Sequence, residues 1–288
     1  MLPEGAQIAV VAPAGIFDPG RLAKSIQLVE SWGYVFTPSP NLRATHRYTA
    51  GTVAERRDDF IWALTSPDVD AVWFARGGYG TVQLLDGLPF SEMDGRPVIG
   101  FSDATALFIA MEKLGVREAI HGPVLHSLAD HVDDDSRQAL KRLMQTGAEA
   151  FLSGRHLCGP RDTIVGRVIG GNLCMVASLA GTPWAMRANG AIVLLEDVNE
   201  PPYKLDRLIT QLRQSGALDG VSAVALGEFT GSRAPEGAGW DIEDLMTELL
   251  EPLNVPVIAG LPVGHGQRNH AWKYGAAGVL TEDGLLVG

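Results

Sequence analysis

Cysteine is nearly absent from this chain of 288 residues: Cys158 and Cys174 are the only two. Two thiols cannot build a disulfide framework, and they lack the spacing of a zinc site, so a reduced cytosol is the expected compartment. Histidine is no richer in ligand patterns. None of the seven histidines forms H-x-x-x-H, and the spacing of His121, His126 and His131 does not gather them on one helix face, so no metal site is expected. Cationic runs are missing too. With 23 Lys and Arg against 34 Asp and Glu the net charge is −11, which argues against nucleic acid and anionic membrane as partners. No apolar stretch is long enough to span a bilayer. The start, Met1-Leu2-Pro3-Glu4-Gly5, lacks the basic region of a secretory signal and leads straight into an apolar strand. There is no internal repeat and no low-complexity tract.

What is present suits a globular enzyme: 46% hydrophobic and 20% charged residues supply ample core without a disordered-type bias. The length exceeds one ordinary core, at roughly 100 to 200 residues per domain. The expected division is a first domain over 1–130, a connection over 131–161 and a second domain over 162–288. In the first, Ile8-Ala9-Val10-Val11-Ala12 reads as a strand, and Asp18-Pro19 caps a helix with Leu22, Ile26 and Val29 inward and Gly33 at its end. Thr52-x-x-Glu55 is a capping box for a second helix with Phe60, Ile61 and Leu64 inward. The buried strand Ala71–Ala75, the turn Arg76-Gly77-Gly78-Tyr79-Gly80, a helix near 81–86 and a strand up to Ser102 follow. This alternation predicts an α/β fold with a parallel, doubly wound sheet, whose working groups lie beyond the carboxyl ends of the strands. The second domain reads as mixed α/β, with strands near 163–169, 191–196, 222–229 and 256–260 and helices near 172–180, 204–215 and 241–251.

Val98-Ile99-Gly100-Phe101-Ser102-Asp103-Ala104 has the form of a nucleophile elbow, a strand turning sharply into a helix with serine at the bend. Such a bend brings the residues two before and two after the serine together, and Gly100 and Ala104 are both small. A serine there is also an ordinary helix N-cap. A serine nucleophile needs a base that is itself oriented by an acid. The second half offers Glu196 and Asp197 at the end of the apolar strand Ala191–Leu195, and His265 between Gly264 and Gly266. Glu196 could equally be an exposed strand-end carboxylate and His265 an ordinary loop histidine. Asp197 belongs on the opposite strand face from Glu196, so only one of the two should point at His265. The turn at 76–80 could be a phosphate loop, but it lacks the Walker lysine and the G-x-G-x-x-G spacing.

The sequence resembles the LD-carboxypeptidase family of serine peptidases, a group containing murein tetrapeptide carboxypeptidases and microcin C self-immunity peptidases. The likeness rests on Val11-Ala12-Pro13-Ala14-Gly15, Arg76-Gly77-Gly78-Tyr79-Gly80, Gly100-Phe101-Ser102-Asp103-Ala104-Thr105-Ala106, His121-Gly122-Pro123-Val124 and Gly170-Gly171-Asn172-Leu173. It continues through Gly181-Thr182-Pro183-Trp184, Leu195-Glu196-Asp197, Pro202-Tyr203-Lys204-Leu205-Asp206-Arg207 and Gly264-His265-Gly266. The resemblance implies an N-terminal doubly wound domain, flavodoxin-like or class I glutamine-amidotransferase-like, and a C-terminal mixed α/β domain of swivelling type. It implies Ser102 as nucleophile, His265 as base and Glu196 as its orienter, brought together from the two domains. The oxyanion hole would come from the backbone of Asp103 and of Gly77 or Gly78. No cofactor and no metal are implied; the partner would be a small peptide, with murein tetrapeptide losing its terminal D-alanine in the cytoplasm, and the protein would be a homodimer. Cleavage of a peptidyl-nucleotide toxin and non-catalytic peptide binding are the alternatives. Arg76 and Trp184 are candidates for holding substrate, with Lys204 or Arg233 as further cations. His121 stays outside the triad, although its place at a strand end could face the cleft.

Overall fold

A computed structural model describes residues 1–92, 95–116 and 118–288. The chain divides into two compact units, Met1–Ala148 with Ala271–Tyr274, and Glu149–His270 with Gly275–Gly288. In the first unit, short buried runs form the strands β1 (Gln7–Val11), β3 (Ala71–Phe74), β4 (Val98–Gly100) and β5 (Ala119–His121), and β2 (Val35–Pro38) is a partly exposed edge strand. They pair in parallel in the order β2-β1-β3-β4-β5, and β12 (Trp272–Tyr274) adds an antiparallel edge beside β5. This is the doubly wound order: the chain runs outward from β1 to β2, then returns past β1 to continue as β3, β4 and β5. The reversal makes a switch point between β1 and β3, where the loops beyond the strands diverge. Those loops are 12–15 and 75–80, and the Gly15 N–H donates to the Gly77 carbonyl at 3.0 Å.

Helices α1 (Pro19–Glu30), α2 (Val53–Thr65), α3 (Thr105–Lys113), α4 (Leu125–Leu128) and α5 (Asp134–Thr146) also belong to the first unit. Local chemistry sets the starts of α1 and α2 as expected, while α1 ends at Glu30, three residues before Gly33. The Asp18 side chain caps α1 with Pro19 in its first turn, and Thr52 and Glu55 cap each other's backbone at the start of α2. The expected helix near 81–86 is instead two single 3-10 turns, Thr81–Gln83 and Leu85–Gly87. Segment 131–161 is not one connector. Its α5 buries Leu140, Leu143 and Met144 in the first unit's core, while the rest supplies two strands to the second unit.

In the second unit β8 (Ile164–Asn172), β9 (Ala191–Val198), β10 (Ala223–Thr230) and β11 (Val257–Ala259) run parallel, joined by α6 (Leu173–Ser178), α7 (Pro202–Gln214) and α8 (Ile242–Leu250). β6 (Ala150–Ser153), β7 (Arg155–Cys158), β13 (Ala277–Thr281) and β14 (Gly284–Val287) complete a mixed eight-stranded sheet, ordered β6-β14-β13-β8-β9-β10-β11-β7. Among the described residues, no helix is long and apolar enough to cross a membrane.

Candidate active site

Ser102 follows β4 after Phe101, with φ at +63°, in the left-handed region that residues other than glycine rarely adopt. A 3-10 turn over Ser102–Ala104 leads into α3, and the N-cap positions of the two are Phe101 and Ala104, so Ser102 does not stand at an ordinary N-cap position. The bend explains the small neighbours. A Cβ on Gly100 would stand 2.7 Å from the Cβ of Ala104, and one on Gly77 would stand 3.0 Å from the Ser102 Cβ and 3.3 Å from its Oγ. The glycine turn thus lies against the serine, where backbone N–H groups are useful to a developing oxyanion.

Two buried side chains hold this turn: Arg56, which the sequence reading passed over, and Asp103, which it singled out only for its backbone N–H. Arg56, 3% exposed in α2, donates from Nη1 to the carbonyls of Pro13 (2.6 Å) and Gly80 (3.0 Å), from Nε to Gly51 O (3.2 Å) and from Nη2 to Gln83 Oε1 (2.6 Å). Asp103, wholly buried, accepts from the Thr81 N–H at 2.8 Å. Burial pushes the Asp103 carboxyl above its usual range, against the hydrogen bonds from 80–81 and the nearby Arg56 charge, which lower it. Arg76 is exposed, and its guanidinium donates to the Ile16 carbonyl. Among the described residues no carboxylate pairs with it, so the structural ion pair that would compete with a ligand role is absent. His121 does not face open space: it is wholly buried, stacked on Trp272 at 4.9 Å between ring centroids and edge-on to Phe101 at 5.2 Å.

In the second unit the run Ala191–Leu195 is buried on both faces and delivers Glu196 and Asp197 to the end of β9. His265 lies in the loop after β11. Leu261 donates to Leu226 O (3.1 Å) and Glu228 donates to Val263 O (2.8 Å), so the loop is laced to the end of β10. Close approach is obligatory there: a Cβ on Gly264 would meet the Glu228 Cβ at 2.7 Å, and one on Gly227 would meet Val263 O at 2.2 Å. This brings His265 Nδ1 to 2.7 Å from Glu196 Oε2, with the glutamate wholly buried and the imidazole 20% exposed. The carboxylate can only accept, so Nδ1 carries the proton and Nε2 is the basic nitrogen.

Asn172, paired with Glu196 across β8 and β9, is the residue here that sequence reasoning left among structural glycines. Its amide donates to Glu196 Oε1 (3.2 Å) and to Asp197 Oδ1 (3.0 Å), while its own oxygen caps α6 at the Met175 N–H (3.1 Å). An asparagine opening an apolar helix was the available signal. His265 bonds Glu196, while Asp197 accepts from the Cys174 and Val198 N–H groups at 2.9 and 2.8 Å. Burial, with Glu196 adding to it, raises the Asp197 carboxyl to about 6 despite those hydrogen bonds. Burial would lower His265, but the charge of Glu196, its hydrogen bond and the charge of Asp197 outweigh that, and the net shift is upward. Trp184 is half-buried and its N–H donates to Thr182 Oγ1 (3.1 Å), Lys204 pairs with Glu200 (2.7 Å), and Arg233 is exposed.

Comparison with known proteins matches both units. Residues 8–122 fit the LD-carboxypeptidase N-terminal domain and residues 165–280 fit the LD-carboxypeptidase C-terminal domain. A murein tetrapeptide carboxypeptidase of Pseudomonas aeruginosa is 37% identical, over 98% of this chain and 95% of its own. The crystal structure of a muramoyltetrapeptide carboxypeptidase from Oxalobacter formigenes superposes with a TM-score of 0.89 at 30% identity, covering 98% of each chain. The microcin C7 self-immunity protein MccF also superposes at 0.89, over 99% of this chain and 96% of its own, but at 20% identity it shares the fold alone. The chain belongs to the LD-carboxypeptidase family of peptidases.

Proposed function

We propose that this protein is a serine carboxypeptidase that releases the terminal D-alanine of murein tetrapeptide by hydrolysing the L,D-peptide bond. The observation that carries this is the 2.7 Å contact between His265 Nδ1 and the wholly buried Glu196, in a chain whose 37% identical relative is named for that substrate. Ser102 Oγ attacks the carbonyl carbon while His265 Nε2 takes its proton, and the oxyanion forms toward the N–H groups of Asp103 and of Gly77 or Gly78. The histidine passes the proton to the nitrogen of D-alanine as the amide bond breaks. Water, deprotonated by the same nitrogen, then attacks the acyl ester and restores the serine. Glu196 holds the imidazolium through both steps. The mechanism requires the two units to present Ser102 Oγ to His265 Nε2, and it uses protein groups and water alone.

Arg76 would take the free carboxylate of the peptide and Trp184 would wall its pocket. A cytoplasmic location fits a chain with two cysteines; a homodimer and a part in wall recycling are what the family resemblance implies. Purified protein incubated with murein tetrapeptide, and separately with a peptidyl-nucleotide, should remove D-alanine from the first, read as a mass loss. An intact tetrapeptide beside a cleaved peptidyl-nucleotide would move the protein to the toxin-cleaving activity; binding of both without cleavage would make it a binding protein.

A further inference from the structure

The Gly80–Thr81 peptide group is gripped from both sides by buried opposite charges. Arg56 Nη1 donates to its carbonyl at 3.0 Å, and Asp103 accepts from its N–H at 2.8 Å. The grip has no slack on the arginine side, because Gly80 has φ at +142° and a Cβ built there would stand 2.5 Å from Nη1. The same Nη1 donates to Pro13 O in the loop after β1, so the guanidinium ties together both loops of the switch point. Asp103 is covalently the next residue after Ser102. Its side chain therefore fastens the turn that carries Gly77 and Gly78 to the same backbone bend that carries the serine. Burying both groups is costly unless they are hydrogen-bonded: Arg56 makes four such bonds, and Asp103 accepts through Oδ2 while its buried Oδ1 has no partner among the described residues.

We infer that Arg56 and Asp103 are positioning residues for the proposed carboxypeptidase reaction, setting the distance between the glycine turn and Ser102 through the peptide they share. The inference rests on Ser102 being the nucleophile. Misplacement of an oxyanion donor by about an ångström can cost on the order of a hundredfold in rate while leaving ground-state binding largely intact.

The test uses full-length protein and two readouts, turnover of murein tetrapeptide and the rate at which a fluorophosphonate labels Ser102. Asp103→Asn keeps the side chain's shape and an accepting oxygen but removes its charge; Arg56→Lys keeps the charge but cannot reach several carbonyls at once; Gly80→Ala displaces the guanidinium. Each should lower kcat by about 10- to 100-fold with KM within about threefold, and slow labelling by a similar factor. Asp103→Asn combined with Gly80→Ala should fall well short of the product of the two losses, because both loosen the hold on the same peptide. Asp59→Asn is the control: it disturbs another buried residue of α2, whose carboxylate accepts from Ser39 Oγ and the Asn41 N–H, and should lower Tm while leaving kcat unchanged. Wild-type kcat and labelling in Asp103→Asn and Arg56→Lys, or losses that merely track Tm as in Asp59→Asn, would overturn the inference. Failure of the underlying assignment reads differently: the wild type itself would not label at Ser102, and Ser102→Ala would keep its activity.

Discussion

His265 by burial alone would be a histidine that resists protonation, and the two carboxyl groups at the end of β9 reverse this. Because the net shift is upward, kcat/KM should rise with pH through a midpoint above the ordinary histidine value of about 6.5, as the base loses its proton. Glu196→Gln removes both the larger charge and the hydrogen bond to a carboxylate, so the midpoint should move down and the plateau should fall. Asp197→Asn should also move it down, but by less, since Asp197 acts on His265 through charge alone. An unchanged midpoint in Glu196→Gln would remove the glutamate from its assigned role. Arg76 makes its own prediction. With no carboxylate partner among the described residues, Arg76→Met should raise KM for a free-acid peptide far more than for its C-terminal amide, with little change in Tm. Equal effects on both substrates would return it to bracing Ile16.

The elbow is the element in which stability and activity pull apart. A left-handed serine costs roughly 1–2 kcal/mol, more than the roughly 0.4–1 kcal/mol that glycine's freer unfolded chain would take back. Ser102→Gly should therefore melt higher than Ser102→Ala, both being inactive. The reverse order would mean that the bend is not strained. Gly100→Ala forces a Cβ to within 2.7 Å of Ala104 and should destabilise by about 1–3 kcal/mol, visible as a fall in Tm and in turnover. Signals of this kind were readable from sequence because they are local: the capping box at Thr52, the proline at the start of α1, and the small residues flanking Ser102 each act within a few positions. The expected helix at 81–86 failed for a complementary reason. Thr81 is held by Asp103 from outside the segment, and no periodicity reports that.

Across the whole molecule, long-range pairing is what the sequence concealed. β12 leaves the second unit's stretch of chain to edge the first unit's sheet, and β6, β7, β13 and β14 attach antiparallel to a parallel core; short strands of this kind carry no mark of their partners. The parallel sheet of the first unit was legible because its apolar runs alternate with amphipathic helices, and in the second unit the same alternation marked the strands and helices but not their pairing. The proposed triad has the same divided character: His265 and Glu196 meet inside one unit, and Ser102 lies in the other. Its motifs were readable one by one, whereas the Arg56 and Asp103 grip joins residues far apart in sequence and appears only in the fold. The most direct test is a double-mutant cycle in which kcat/KM for D-alanine release from murein tetrapeptide is measured in wild type, Ser102→Ala, His265→Ala and the double variant. If the two residues act as one unit, each single change should cost about 10⁴-fold or more and the double should cost little beyond either. Losses that multiply, or turnover retained without Ser102, would contradict the joint action of the two residues.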